Sequence, residues 1–196
     1  MSLPDGQLLV LGIGNILLRD EGAGVLVIRE LEARVAAGDL RLAEDVRLLD
    51  GGTLGLDLLP IISDARALVI VDAVDFRADP GSVRVIRGAD IVAALEGHVS
   101  PHQVGVGDLV ATARLLGTLP AEVALVGIQA RDIAIGLDPS PSVLAGIPVA
   151  VDAVIAEIAR FGSGRPAGDG SVQAVSTPSD GLNGTRSVAA TVVPSR

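Results

Sequence analysis

Short apolar runs recur along this chain, and most are closed by a glycine or an acidic residue. The first, Leu8–Leu11, has the unbroken Leu/Val character of a central parallel strand covered on both faces. Gly12 and Gly14 let the backbone turn tightly after it. Asp20-Glu21-Gly22 then opens a helix that the spacing predicts from about Gly22 to Val35, with Val25, Ile28, Leu31 and Val35 as its inner stripe. Asp20 is the expected N-cap, because an acid near a helix start is stabilised by the partial positive charge there.

The same alternation continues downstream. Ala36–Asp45 is a polar connection. Val46–Leu49 reads as a second strand running into Asp50-Gly51-Gly52, and Thr53 as the cap of a short helix, Leu54 to Ile62, with Leu58, Leu59 and Ile62 inward. Ala67–Val71 is a third buried strand ending at Asp72. Asp79-Pro80-Gly81 has turn chemistry and joins Val74–Phe76 to Ser82–Ile86, which predicts a hairpin or an edge strand. Ala89–Leu95 is a short helix. Ser100-Pro101-His102-Gln103 has the form of a capping box and starts a helix to about Leu116. Glu122–Gly127 is another strand. Asp138-Pro139-Ser140-Pro141-Ser142 opens the last helix, to Arg160, with a bend or restart expected at Pro148.

Strands alternating with helices over short links specify an α/β fold, a mainly parallel sheet with helices on both faces. One domain over residues 1–161 accounts for all of this periodicity. From Gly162 to Arg196, Gly, Ser, Pro, Thr and Asp dominate, and residues 162–196 read as a disordered tail.

Composition narrows the function. The chain has 196 residues, a formal charge of −9 and no lysine, its scattered cations all being arginine. That argues against nucleic acid as a partner, since phosphate binding needs clustered cations. Aromatic residues amount to Phe76 and Phe161, too few to stack bases. The absence of cysteine removes disulfides, thiolate nucleophiles and thiolate metal ligands. No membrane span and no signal peptide is expected, and the expected location is cytoplasmic.

The turn Gly12–Leu17 resembles a dinucleotide-binding G-x-G-x-x-G but lacks its third glycine, and Asp20 and Glu21 would repel a pyrophosphate. In parallel α/β sheets, ligands sit beyond the carboxyl ends of the strands. Glu21 follows strand one, Asp50 ends strand two and Asp72 ends strand three, so sequence order gathers three acids at one edge. His102 is expected in the first turn of its helix, where the dipole disfavours an imidazolium, and a neutral imidazole is the form a metal needs. Taken singly, Glu21 and His102 read as parts of helix starts and Asp72 as a strand-end acid. Together, two carboxylates and an imidazole make an open site for a divalent transition metal. His98 has no such context. Asp50 with Gly51 and Gly52 either binds a peptide backbone or only shapes its turn. No G-x-S-x-G elbow supports serine catalysis.

The segments GIGNILLRDEGAGV, DGGTLGLDLL, VIVDAVD and SPHQVGVGDLV, in that order, resemble the hydrogenase maturation endopeptidases, over roughly Leu8 to Arg160. The resemblance implies a three-layer fold with a twisted, mainly parallel sheet between helices. It also implies a metal-assisted hydrolase that removes a C-terminal peptide from the precursor of a nickel–iron hydrogenase large subunit once the metal centre is in place. The family's metal positions, which are also the catalytic ones, fall on Glu21, Asp72 and His102. Asp50, with Gly51 and Gly52 beside it, falls on the substrate-recognition position. Nickel, carried by the substrate, is the implied metal, with zinc or cadmium as substitutes in vitro. Two other readings remain open at this point: a nucleotide- or small-acid-binding protein, and a non-cleaving sensor of metal or partner on the same fold.

Overall fold

A computed structural model describes residues 6–95, 106–162 and 173–175. Its strands are β1 (Leu8–Ile13), β2 (Val46–Gly52), β3 (Ala67–Val74), β4 (Val83–Arg87), β5 (Glu122–Gln129) and β6 (Gln173–Val175). Its helices are α1 (Ala23–Ala37), α2 (Leu59–Ser63), α3 (Asp90–Leu95), α4 (Val106–Leu115) and α5 (Pro141–Gly162), with 3₁₀ turns at Arg19–Gly22 and Gly55–Leu58. The sheet order is β2-β1-β3-β5-β4-β6. β2, β1, β3 and β5 are parallel, and β4 runs antiparallel to β5.

Strand alternation divides the core in two. Leu8 and Val10 of β1 and Val69 and Val71 of β3 pack under Val27, Ile28 and Leu31 of α1 and Val151 and Val154 of α5. Leu9, Leu11, Leu68 and Ile70 face the other way, against Leu58, Ile62 of α2, Ile91 of α3 and Leu109 and Val110 of α4. The three-layer architecture is thus the one expected, with β1 and β3 buried on both faces. Two glycines set the spacing of α1 on the sheet. A Cβ on Gly24 would strike the carbonyl oxygens of Ile13 and Val71, and one on Gly12 would strike Ile28 and the Gly24 carbonyl.

Several expectations change. Val35 is exposed at the end of α1 rather than part of its inner stripe. Thr53 caps nothing: the chain after Gly52 makes a 3₁₀ turn before α2, with no side-chain cap at either start. β4 forms no hairpin with β3, because β5 lies between them; the long excursion through α3 and α4 returns to fill that place. β4 is not the edge either, since β6, from the stretch read as a disordered tail, pairs antiparallel with it at Val83–Val85. The remainder of that tail lies outside the described residues.

α5 runs unbroken through Pro148. The proline is exposed, so the carbonyl it leaves unpaired faces water. This 22-residue helix is long and apolar enough to cross a membrane, yet half of it is buried inside the fold. A bidentate ion pair anchors it, Arg87 Nε and Nη2 donating to Glu157 at 2.9 and 2.5 Å, with both side chains nearly inaccessible.

Candidate active site

β1 goes by way of α1 to β2 on one side, and the chain then crosses by way of α2 to β3 on the other. The carboxyl ends of β1 and β3 therefore bound a topological switch point, where open α/β sheets place their ligands. Gly12 lies opposite both Asp50 of β2 and Val71 of β3. With strands spaced by ~4.8 Å, the backbones of Asp50 and Asp72 stand roughly 10 Å apart across β1.

Glu21 reaches this edge from the 3₁₀ turn Arg19–Gly22. The turn folds back over the strand end at Gly14. That residue has φ 140°, and any Cβ on it would collide with the Glu21 carbonyl oxygen. The Glu21 backbone N–H donates to the Leu18 carbonyl at 3.1 Å. Its side-chain Oε2 is buried with no hydrogen-bond partner among the described residues. Burial pushes the Glu21 carboxyl above its ordinary value.

Asp72 lies on the same face of β3 as Leu68 and Ile70, the face covered by α2, α3 and α4. Burial pushes its carboxyl well above the usual range; the Ala73 N–H, 2.8 Å from Oδ1, pulls the other way, and the Glu21 charge adds to the rise. The two acids thus share one poorly solvated place, and each has oxygen lone pairs that no described residue takes up. That donor set fits a divalent cation, whose charge would offset the burial that raises both carboxyls. Among the described residues no three His, Cys, Asp or Glu side chains gather closely enough to hold a metal. Glu21 and Asp72 supply two carboxylates. His102, and His98 with it, lie outside the described residues.

Asp50 stands farther out and half exposed. Its Oδ1 accepts the Gly52 N–H at 3.0 Å, and its Oδ2 lies 3.6 Å from Arg29 Nη2. Gly51 is buried, where a Cβ would come within 2.7 Å of Leu11 Cδ1. Gly52 takes φ 47°.

Asp20, expected to cap α1, does something else. It is fully buried and caps no helix. Its carboxylate accepts the backbone N–H groups of Arg131 and Asp132 at 2.9 Å and of Ser140 at 2.6 Å, and the Ser140 hydroxyl at 2.9 Å. Burial works to raise its pKa, but these four donors outweigh it and hold the group below its ordinary value. Ser140 in turn caps α5, its hydroxyl accepting the Val143 N–H. Asp20 and Glu21, adjacent in sequence, thus face different tasks. Sequence reasoning left residues 130–137 without a role. The one signal there is Ile133, Ile135 and Leu137, apolar residues in a stretch that belongs to no strand or helix.

A family model described as hydrogenase maturation protease matches residues 25–157. The hydrogenase expression/formation protein HupD of Rhodobacter capsulatus is 39% identical over 158 residues, 80% of this chain and 73% of its own length. The hydrogenase 2 maturation protease of Escherichia coli is 34% identical over 157 residues, 80% of this chain and 93% of its own. Among solved structures, the hydrogenase maturating endopeptidase HybD from E. coli matches with a TM-score of 0.71 at 33% identity, over 86% of this chain and 96% of that one.

Proposed function

Because the chain belongs to the hydrogenase maturation protease family and is an endopeptidase that processes a hydrogenase large subunit, we propose that it cuts a C-terminal peptide from the nickel-loaded precursor of a nickel–iron hydrogenase, in the cytoplasm. Glu21, Asp72 and His102 hold the nickel that the precursor carries. The observation that carries this reading is the buried Oε2 of Glu21, without a hydrogen-bond partner among the described residues, beside a carboxyl, Asp72, that the fold keeps from ionising easily. Both acids are costly to the free protein unless something compensates them.

Bound there, the cation would supply Lewis-acid polarisation of the scissile carbonyl or of an attacking water. The chain's own residues set the stage for it. Glu21 offers an oxygen that no described residue occupies, on a turn fixed by Gly14. Asp72 offers the oxygen not taken by the Ala73 N–H. His102 lies four positions before Val106 in sequence, and Val106 is buried on the Asp72 face of the sheet. Asp50-Gly51-Gly52, at the neighbouring strand end, is placed to read the backbone of the peptide to be removed.

Incubation with a nickel-loaded large-subunit precursor is expected to produce a small mass loss at the precursor's C-terminus, measured by intact mass spectrometry. Glu21→Gln, Asp72→Asn and His102→Ala are each expected to abolish it, and unchanged processing by any of them would overturn the ligand set. Metal analysis of the purified chain separates substrate-borne nickel from a resident ion: tightly bound, stoichiometric zinc would overturn the substrate-borne version.

A further inference from the structure

Two loops meet beside the site and hold apolar side chains out into water. The loop after β1 presents Leu17. The loop between β5 and α5 presents Ile133, Ile135 and Leu137, of which Ile135 is 87% and Leu137 71% exposed. Exposed loop tips are ordinarily small and polar. This pair is firmly built. The Gly136 N–H donates to the Leu17 carbonyl at 2.9 Å, the Arg19 N–H to the Gly136 carbonyl at 3.0 Å, and the Asp20 N–H to the Asp132 carbonyl at 3.1 Å. Arg19 also lies across Gly136 and pairs with Asp132 at 2.7 Å. An apolar centre with charged neighbours is the pattern of a protein-binding patch.

We propose that this surface, Leu17 with Ile133, Ile135 and Leu137, is where an apolar part of the large-subunit precursor docks while its tail is cut. The inference rests on the reading of Glu21 and Asp72 as the centre of cleavage. What identifies the occupant is continuity with that centre. The Leu17 loop runs directly into Glu21, and the partner loop is hydrogen-bonded to Asp20, the residue before it. The exposed Leu115 and Leu116 serve as the contrast: they stand at and just past the end of α4, in the connection that leads to the start of β5, away from the carboxyl ends of the strands.

The test uses the full chain and a purified large-subunit precursor that the unsubstituted chain cleaves. Ile135→Ser/Leu137→Ser is compared with Leu115→Ser/Leu116→Ser, both with melting temperatures recorded. The first pair is expected to raise KM for the precursor at least tenfold, with kcat within twofold and melting temperature unchanged; the second pair is expected to change neither constant. An unchanged KM in the first pair overturns the proposal, as does a fall in kcat alone or an equal rise in KM from the second pair. Glu21→Gln keeps the two readings apart: it should leave the precursor uncut at any concentration, whereas the loop variants should still cut it at saturation. Cleavage by Glu21→Gln would remove the assigned centre, whatever the loop variants show.

Discussion

Asp20 and Glu21 show how two neighbouring carboxylates of the same charge come to opposite ends. Asp20 is held ionised by four donors, and Glu21 and Asp72 are pushed toward the protonated form. Stability should follow. The lowered Asp20 pKa contributes stability that is present above the unfolded-state value and lost as pH falls through the folded one. Asp20→Ala orphans buried donors and is expected to cost about 3 kcal/mol near neutral pH, measured by denaturant unfolding, with a smaller cost in acid. Asp72 has the reverse sign. Its raised pKa means the folded chain holds a proton that the unfolded chain releases, so the burden is greatest at neutral pH and disappears below the unfolded value. Asp72→Asn is therefore expected to raise the melting temperature of the metal-free protein near neutral pH, with little gain in acid, while ending cleavage. The sequence made both acids visible as a helix start. Which would bind the distant Ser140 and which would face Asp72 depended on contacts across the fold that no local pattern encodes.

At the scale of elements, the strands covered on both faces were the legible ones. β1, β3 and β5 are apolar runs because helices cover both sides, and the stripe Val25, Ile28, Leu31 of α1 is buried as spaced. The position of β4 beyond β5 was not legible, since pairing between distant strands leaves little mark in either one. The close seat of α1 yields a sharp expectation. Gly24→Ala would put a methyl group against the backbone of two strands, where no side chain can move aside, and is expected to cost about 3 kcal/mol. The ion pair between β4 and α5 yields another. Arg87→Met alone leaves Glu157 buried and uncompensated, and is expected to destabilise by about 3–5 kcal/mol. Adding Glu157→Leu should recover most of that loss, which chemical denaturation of the single and double variants would measure.

For the molecule as a whole, the chemistry and the outer surface meet at the edge of the sheet where β1 and β3 diverge, and one short turn supplies part of each. Three of the four donors that hold the Asp20 carboxylate are main-chain amides, so the anchoring asks little of the side chains between Asp132 and Ser140. That stretch is a natural cassette. If this loop docks the precursor as proposed, exchanging it for the equivalent loop of a relative is expected to change which precursor is cleaved, measured by cleavage of both precursors side by side.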